Sequence, residues 1–214
     1  MTRLVSLHWF RQDLRLADNP ALTAAAEAGA VLPVYILDDG HAGDHKMGGA
    51  SRWWLHNSLQ ALNDKLDGKL LVLKGDPVRL LPALAVASGA KKLYWNRCYE
   101  PWRIARDTAI KTELVRQGLN VESHNGSLLW EPWDVTKADG TPYRVFTPFF
   151  RRGCLGASPP RTPLLSPDQL DLVSLAYEQD GIDGLHLLPD IGWDTTLGAH
   201  WQIGEAGAKQ RLVT

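Results

Sequence analysis

The sequence predicts an α/β fold: a doubly wound, five-stranded parallel sheet of order 3-2-1-4-5, flanked by helices and followed by a long C-terminal linker. Three observations predict it. Short apolar runs recur through residues 1–130, nearly unbroken by polar residues, as strands buried on both faces of a parallel sheet require. Longer stretches of helical periodicity separate them, so each strand is expected to return to the sheet through a right-handed crossover. Proline and glycine stand where those helical stretches start and stop.

The first run, Leu4–Trp9, is strand one. Asn19-Pro20 supplies an N-cap and a first-turn proline for a helix over Ala21–Ala28, stopped by Gly29. Strand two is Val31–Leu37. A second helix runs from Ser51 to Leu66, with Trp54, Leu55, Leu59, Leu62 and Leu66 along one face. Leu70–Leu73 is strand three, Asp76-Pro77 opens a third helix that ends at Gly89, and Leu93–Trp95 is strand four. Pro101 opens a fourth helix reaching Gly118, with Ile104, Ala105, Thr108, Leu114 and Val115 expected inward; Leu119–Ser123 is strand five.

Beyond Ser127 the pattern changes. Residues 1–130 are expected to be the α/β domain, 131–200 a proline-rich extension and inter-domain linker, and 201–214 the start of a further helical unit. A short helix is predicted around Phe146–Arg152, and the first turns of another over Ile203–Val213. Acidic residues gather late: residues 160–214 hold 3 Lys+Arg against 8 Asp+Glu, whereas residues 1–159 hold 20 against 16. With few core anchors, residues 156–214 are expected to be more mobile than the sheet. Trp193, Trp201 and part of Phe146–Phe150 are expected to form exposed apolar surface.

Hydrophobic content of 44% with 22% charged residues fits a soluble globular protein, and a net charge of −1 does not mark a nucleic-acid surface. No apolar run is long enough for a membrane span. Met1–Leu7 is too short and too interrupted to be a signal peptide. Cys98 and Cys154 form no disulfide framework and no metal-ligand spacing, so a cytoplasmic setting is expected. His41, His45 and the three Asp of residues 38–50 match no common metal loop, and no metal site is expected. No glycine-rich dinucleotide fingerprint, P-loop or nucleophile elbow occurs, and no self-contained catalytic centre is legible.

In a sheet of order 3-2-1-4-5, ligands bind beyond the carboxyl ends of the strands where the order reverses, between strands one and four. Phe10–Asp13 and Asn96–Trp102 flank that crevice. Asn96, Arg97 and Glu100 offer hydrogen bonds, with Cys98 between them, and Tyr99 and Trp102 offer planar faces for a flat ligand. The plainer reading is that Tyr99-Glu100-Pro101-Trp102 caps a helix. Likewise, Arg11, Asp13 and Arg15 could contact a ligand, but an Arg–Asp–Arg network pinning its own loop is the more ordinary arrangement.

Three segments carry a resemblance. Trp9-Phe10-Arg11-Gln12-Asp13-Leu14-Arg15-Leu16-Ala17-Asp18-Asn19-Pro20 follows strand one; Tyr94-Trp95-Asn96-Arg97-Cys98-Tyr99-Glu100-Pro101 precedes Arg106-Asp107; and Val145-Phe146-Thr147-Pro148-Phe149-Phe150 comes later. In order and spacing they resemble the DNA photolyase/cryptochrome family of blue-light flavoproteins, most nearly a bacterial cyclobutane pyrimidine dimer photolyase. The resemblance implies an N-terminal light-harvesting domain. The parent enzyme would repair pyrimidine dimers in DNA by electron donation from light-excited FAD, and its FAD- and DNA-binding half would follow Thr214. The chain alone is then expected to be inactive, and monomeric or weakly dimeric. Its partners are a C-terminal FAD-binding domain and, for the parent, UV-damaged DNA.

A cryptochrome-type receptor or a (6-4) photolyase shares this domain and stays open, as does a stand-alone nucleotide-binding module. The family's deazaflavin pocket uses the start of the second helix, implying Ser51, Arg52 and Leu55, with Tyr35, Ile36 and Leu37 bounding it. Folate-type members carry Asn-Glu two and three positions after the Tyr-Glu of the strand-four loop; here Trp102 and Arg103 stand there. A deazaflavin or flavin antenna is therefore favoured over methenyltetrahydrofolate.

Overall fold

The structure is a computed structural model and describes residues 4–213. Met1–Arg3, part of the stretch read as too short for a signal peptide, and Thr214 lie outside the described residues. Five parallel strands form one sheet: β1 Val5–Phe10, β2 Ala30–Leu37, β3 Leu71–Lys74, β4 Lys92–Asn96 and β5 Asn120–His124. Their spatial order is β3-β2-β1-β4-β5, as the sequence predicts. The crossovers are α1 Pro20–Ala28, α2 Gly49–Lys65, α3 Pro77–Ser88 and α4 Pro101–Arg116. Asn19 accepts from the Leu22 amide and Asp76 from the Val78 amide, each beside a first-turn proline, so both helices start where local chemistry dictates. Gly89 ends α3 with φ +67°, a left-handed cap that favours glycine.

Alternation along the strands divides the core into two layers. Phe10, Val31, Tyr35 and Val72 face α1 and α2; Leu7, Trp9, Val34, Leu93 and Trp95 face the opposite layer with Leu81, Leu84, Ile110 and Leu114. On α2, Leu55, Leu59, Leu62 and Leu66 are buried as expected, but Trp54 is 40% exposed and Trp53 takes the inward position.

Helix α4 corrects the expected inward face. Ile104, Ala105, Thr108 and Val115 are exposed, and the buried stripe is Arg106, Ile110 and Leu114. The stripe begins with an arginine because its guanidinium is stacked and ion-paired, so an apolar search misplaces the face.

The extension also departs from expectation. Phe146–Pro148 and Phe149–Cys154 do form short helical turns, and Glu205–Val213 is a helix. Trp193, Trp201, Phe146, Phe149 and Phe150 are exposed. The expected shortage of core anchors is wrong, however: Ile182, Leu185 and Leu187 are buried in the α1/α2 layer, with Leu170 and Leu172 packed against them. β3 pairs only with residues 34–37 of β2, leaving the first half of β2 without a neighbour on that side. There the Val31 amide donates to the Asp171 carbonyl (2.8 Å) and the Val173 amide to the Val31 carbonyl (3.0 Å). Further along, the Asp180 amide donates to the Val72 carbonyl, and the Asp180 carboxylate accepts from the Lys74 amide. The extension thus covers the sheet edge, a common remedy for unpaired strand groups.

One buried group sets an acid limit on the fold. His8 is fully buried on β1, with neither ring nitrogen hydrogen-bonded among the described residues. Burial pushes its pKa down to about 4. The unfolded chain would take up that proton near pH 6.5, so His8's contribution is whole above pH 6.5 and is lost as pH falls toward 4. The expected loss is about 3 kcal/mol. Urea midpoints between pH 7 and pH 4 measure it; a slope equally steep after His8→Leu would show that another group is responsible.

Candidate functional site

A cavity of about 480 Å³ opens beyond the carboxyl ends of β1 and β2. Trp9, Arg11, Gln12 and Arg15 line it from β1 and its loop, and Tyr35, Ile36, Leu37 and Asp38 from the end of β2. Ser51, Trp54, Leu55 and Ser58 come from α2, and Trp102, Arg103 and Arg106 from the first turns of α4. Gly204, Glu205 and Ala208 close it from the helix Glu205–Val213. The volume lies within the range that takes a small-molecule ligand, roughly 300–1,000 Å³.

The wall is a stack of indoles and guanidiniums. The Arg106 guanidinium lies 4.9 Å from the Trp9 ring and 5.2 Å from the Trp102 ring, and Arg103 covers Trp102 at 4.8 Å. Arg11 lies 5.0 Å from Trp9. Cations over indole faces attract the ring quadrupole, and here they also fix the planes of the rings. Arg106 donates to Asp38 (3.0 Å) and Asp107 (2.8 Å), and Arg11 pairs with Asp107. Burial pushes the Asp38 carboxyl up, but hydrogen bonds from the His41 amide and Arg106 outweigh it and hold it below the ordinary carboxylate range.

Among the described residues, Arg11 Nε and Nη2 and Trp9 Nε1 are buried donors without a hydrogen-bond partner, whereas Arg103 Nε faces the Glu100 carboxylate at 3.7 Å. Each such group carries a cost of about 1–3 kcal/mol until an acceptor reaches it. The half-exposed Trp54, the Trp102 ring, the arginine charge and the volume fit a planar ligand that carries acceptors.

The residues singled out from the sequence divide between two places. Tyr35, Ile36, Leu37, Ser51, Leu55 and Trp102 converge on the cavity. Arg52 shares the turn with Ser51, but its guanidinium is held by Asp39 (2.8 Å) and the Met47 carbonyl (3.1 Å). Arg97, Cys98, Tyr99 and Glu100 do not line it. Arg97 and Tyr99 both donate to the Glu131 carboxylate, the latter at 2.8 Å. Burial and that acceptor push the Tyr99 hydroxyl up to about 12. Cys98 Sγ accepts from Arg103 (3.2 Å), and Glu100 caps α4 through its backbone while its carboxylate pairs with Arg103 (3.7 Å).

The division has a physical cause. The gap between β1 and β4 is filled by a buried polar network. Asp13 accepts from Asn96 Nδ2 and Asn19 Nδ2; Asn96 Oδ1 accepts from the Ala21 amide, and Asn19 Oδ1 from Asn96 Nδ2 (2.7 Å). A Cβ on Gly126 would stand 2.5 Å from the Asn96 side chain, so this plug leaves no room for a ligand. The cavity opens instead on the β2 side. Arg15 pins its own loop through the Asp18 and Gly126 carbonyls. Trp9, Arg103, Arg106 and Glu205 are cavity residues that the sequence does not single out. The spacing of Trp102 and Arg106, one helical turn apart on α4, was the available signal.

Among the described residues no three His, Cys, Asp or Glu gather to hold a metal, and no helix is long and apolar enough to cross a membrane. The chain is an α/β domain with a cavity at the carboxyl edge of its parallel sheet. Residues 6–167 match the DNA photolyase family, and the chain belongs to that family. It is 41% identical over 209 residues to a deoxyribodipyrimidine photo-lyase of Agrobacterium fabrum, covering 95% of this chain and 43% of that protein. It is 39% identical to Cryptochrome-1 of Arabidopsis thaliana, over 98% of this chain and 31% of that one. The crystal structure of a bacterial class III photolyase from Agrobacterium tumefaciens superposes with a TM-score of 0.90 at 39% identity, over 99% of this chain and 44% of that one. The chain thus spans less than half the length of these relatives.

Proposed function

We propose that this chain is the light-harvesting domain of a deoxyribodipyrimidine photo-lyase, and that its cavity holds the antenna chromophore. The carrying observation is the cavity wall itself: indole faces held flat by arginines, with buried donors that lack acceptors, in a chain of the DNA photolyase family. Trp54 and Trp102 would supply stacking surface and Arg103 the hydrogen bonds that orient the chromophore, with the buried Trp9 and Arg11 backing the wall. A flavin or deazaflavin, whose carbonyl-bearing edge meets such donors, is the favoured class. Arginine-rich lining also gives a specific reason to keep a folate as the second reading, since its glutamate carboxylates would find counter-charges here.

In this reading residues 1–130 are the antenna domain, 131–200 the extension joining it to its partner, and 201–214 the first turn of an FAD-binding helical domain. FAD, when bound there, supplies the electron that splits a pyrimidine dimer; this chain's residues bind and orient the pigment that feeds it light. The cryptochrome relative supports a sensory parent as the alternative.

Titration of the 214-residue chain with FMN, 8-hydroxydeazaflavin and methenyltetrahydrofolate tests the antenna reading. One of them is expected to bind at one equivalent, and Trp102→Ala to weaken it about tenfold, by roughly 1–1.5 kcal/mol of lost stacking. The chain alone is expected to repair no dimer-containing oligonucleotide and to retain no stoichiometric FAD. Light-driven repair by the chain itself, or binding that ignores Trp102→Ala, would contradict it.

A further inference from the structure

Glu205 is the first residue of the helix Glu205–Val213, and its side chain is only 8% exposed despite its charge. Its Oε2 accepts from the Leu16 amide (3.1 Å) and its Oε1 from the Ala17 amide (3.2 Å), two successive N–H groups of the loop after β1. Lys65, the last residue of α2, donates to it at 2.9 Å, and Lys209 lies at 2.9 Å one helical turn on. Burial pushes this carboxyl up, but the hydrogen bonds from Lys209, Lys65 and the Leu16 amide outweigh it and bring it down to about 2.

The three elements joined at this carboxylate are three walls of the cavity. The loop after β1 contributes Arg11, Gln12 and Arg15; α2 contributes Ser51, Trp54 and Leu55; the helix contributes Glu205 and Ala208, with Gly204 just before it. Close seating accompanies the ion pairs. Trp201 meets the Trp54 ring edge-on at 5.5 Å, and a Cβ on Gly204 would stand 2.9 Å from Ala61 Cβ on α2. Gly204 also has φ +89°, so the turn that brings Glu205 inward needs glycine.

We infer that Glu205 is a positioning residue: one buried carboxylate latches the helix at residues 205–213 over the cavity mouth, so that this helix controls release of whatever the cavity holds. The latch rests on the reading of the cavity as a ligand site. It assigns the helix a part in chromophore retention, and it makes the seating of any following helical unit depend on the same carboxylate that closes the cavity.

Glu205→Gln keeps the shape and one acceptor but loses the charge, and Glu205→Ala removes both acceptors. Leu212→Ala, at a residue of the same helix that is 89% exposed and outside the latch, is the control. Two readouts are taken on each folded chain: amide hydrogen exchange at Leu16 and Ala17 relative to Val34, and the dissociation rate of the probe that binds the parent chain among FMN, 8-hydroxydeazaflavin and methenyltetrahydrofolate. In both Glu205 variants the two amides are expected to exchange at least tenfold faster with Val34 unchanged, and the probe to leave at least tenfold faster. Leu212→Ala is expected to move neither. Unchanged exchange at Leu16 and Ala17, or an unchanged release rate, would overturn the latch. Should the parent chain bind none of the probes, the antenna reading fails, and the latch is then decided by the two amides alone. If Glu205→Ala does not fold, Glu205→Gln decides both readouts.

Discussion

Alanine at Asp13 is expected to destabilise the fold by about 3–5 kcal/mol, the range for breaking a buried hydrogen-bonded charge. Asp13 is 5% exposed and accepts from the Arg11 amide, Asn19 and Asn96. Those partners are the α1 cap and the last residue of β4, so one carboxylate couples the β1 loop, a helix start and a neighbouring strand. Its loss leaves the almost fully buried Asn96 amide short of an acceptor, while Asn19 keeps the Arg15 carbonyl. Asp13→Asn retains one acceptor and is expected to lose less. Urea unfolding measures both, a fall in midpoint at constant slope being the signature of lost stability. A loss below about 1 kcal/mol for Asp13→Ala would mean that the plug between β1 and β4 is not a structural keystone.

Methionine at Arg106 is the second large change. The side chain is 5% exposed and lies between Trp9 and Trp102 while holding Asp38 and Asp107. Methionine fills similar space, but Asp38 keeps only its bonds to His41, and Asp107 only its bond to Arg11. The expected cost is about 3 kcal/mol of stability. Ligand affinity is expected to fall at least tenfold as the Trp102 plane is released. Stability is read by urea unfolding and affinity by titration at a temperature where the variant is folded. Affinity unchanged in a folded variant would remove Arg106 from the site.

The sheet was legible because its signals are local. The strands found in the sequence lie within one residue of those in the structure, since unbroken apolar runs between capped helices leave few alternatives. The inward face of α4 was not legible, because Arg106 is buried through ion pairs and stacking that depend on residues 38, 9 and 107. The anchoring of the extension left a readable trace. Leu170, Leu172, Val173, Leu175 and Tyr177 put apolar groups on both core layers, as an extended edge segment does. Surrounding prolines and acidic residues masked it. At the site, topology indicated the carboxyl edge of the sheet, and the resemblance indicated Tyr35–Leu37 and Ser51–Leu55. What no local pattern could reveal is that the Asp13–Asn96–Asn19 plug closes the β1/β4 gap, leaving Arg97–Glu100 on the Glu131 side.

The chromophore is expected to lie in the cavity on the β2 side. Backbone and side-chain NMR shifts of the 214-residue chain, recorded with and without one equivalent of the probe that binds it, test this most directly. Changes are expected at Trp9, Tyr35–Leu37, Ser51–Leu55, Trp102–Arg106 and Gly204-Glu205, with Tyr99 and Glu131 unmoved. Changes centred on Arg97–Glu100 and Glu131, with the cavity residues unmoved, would contradict it.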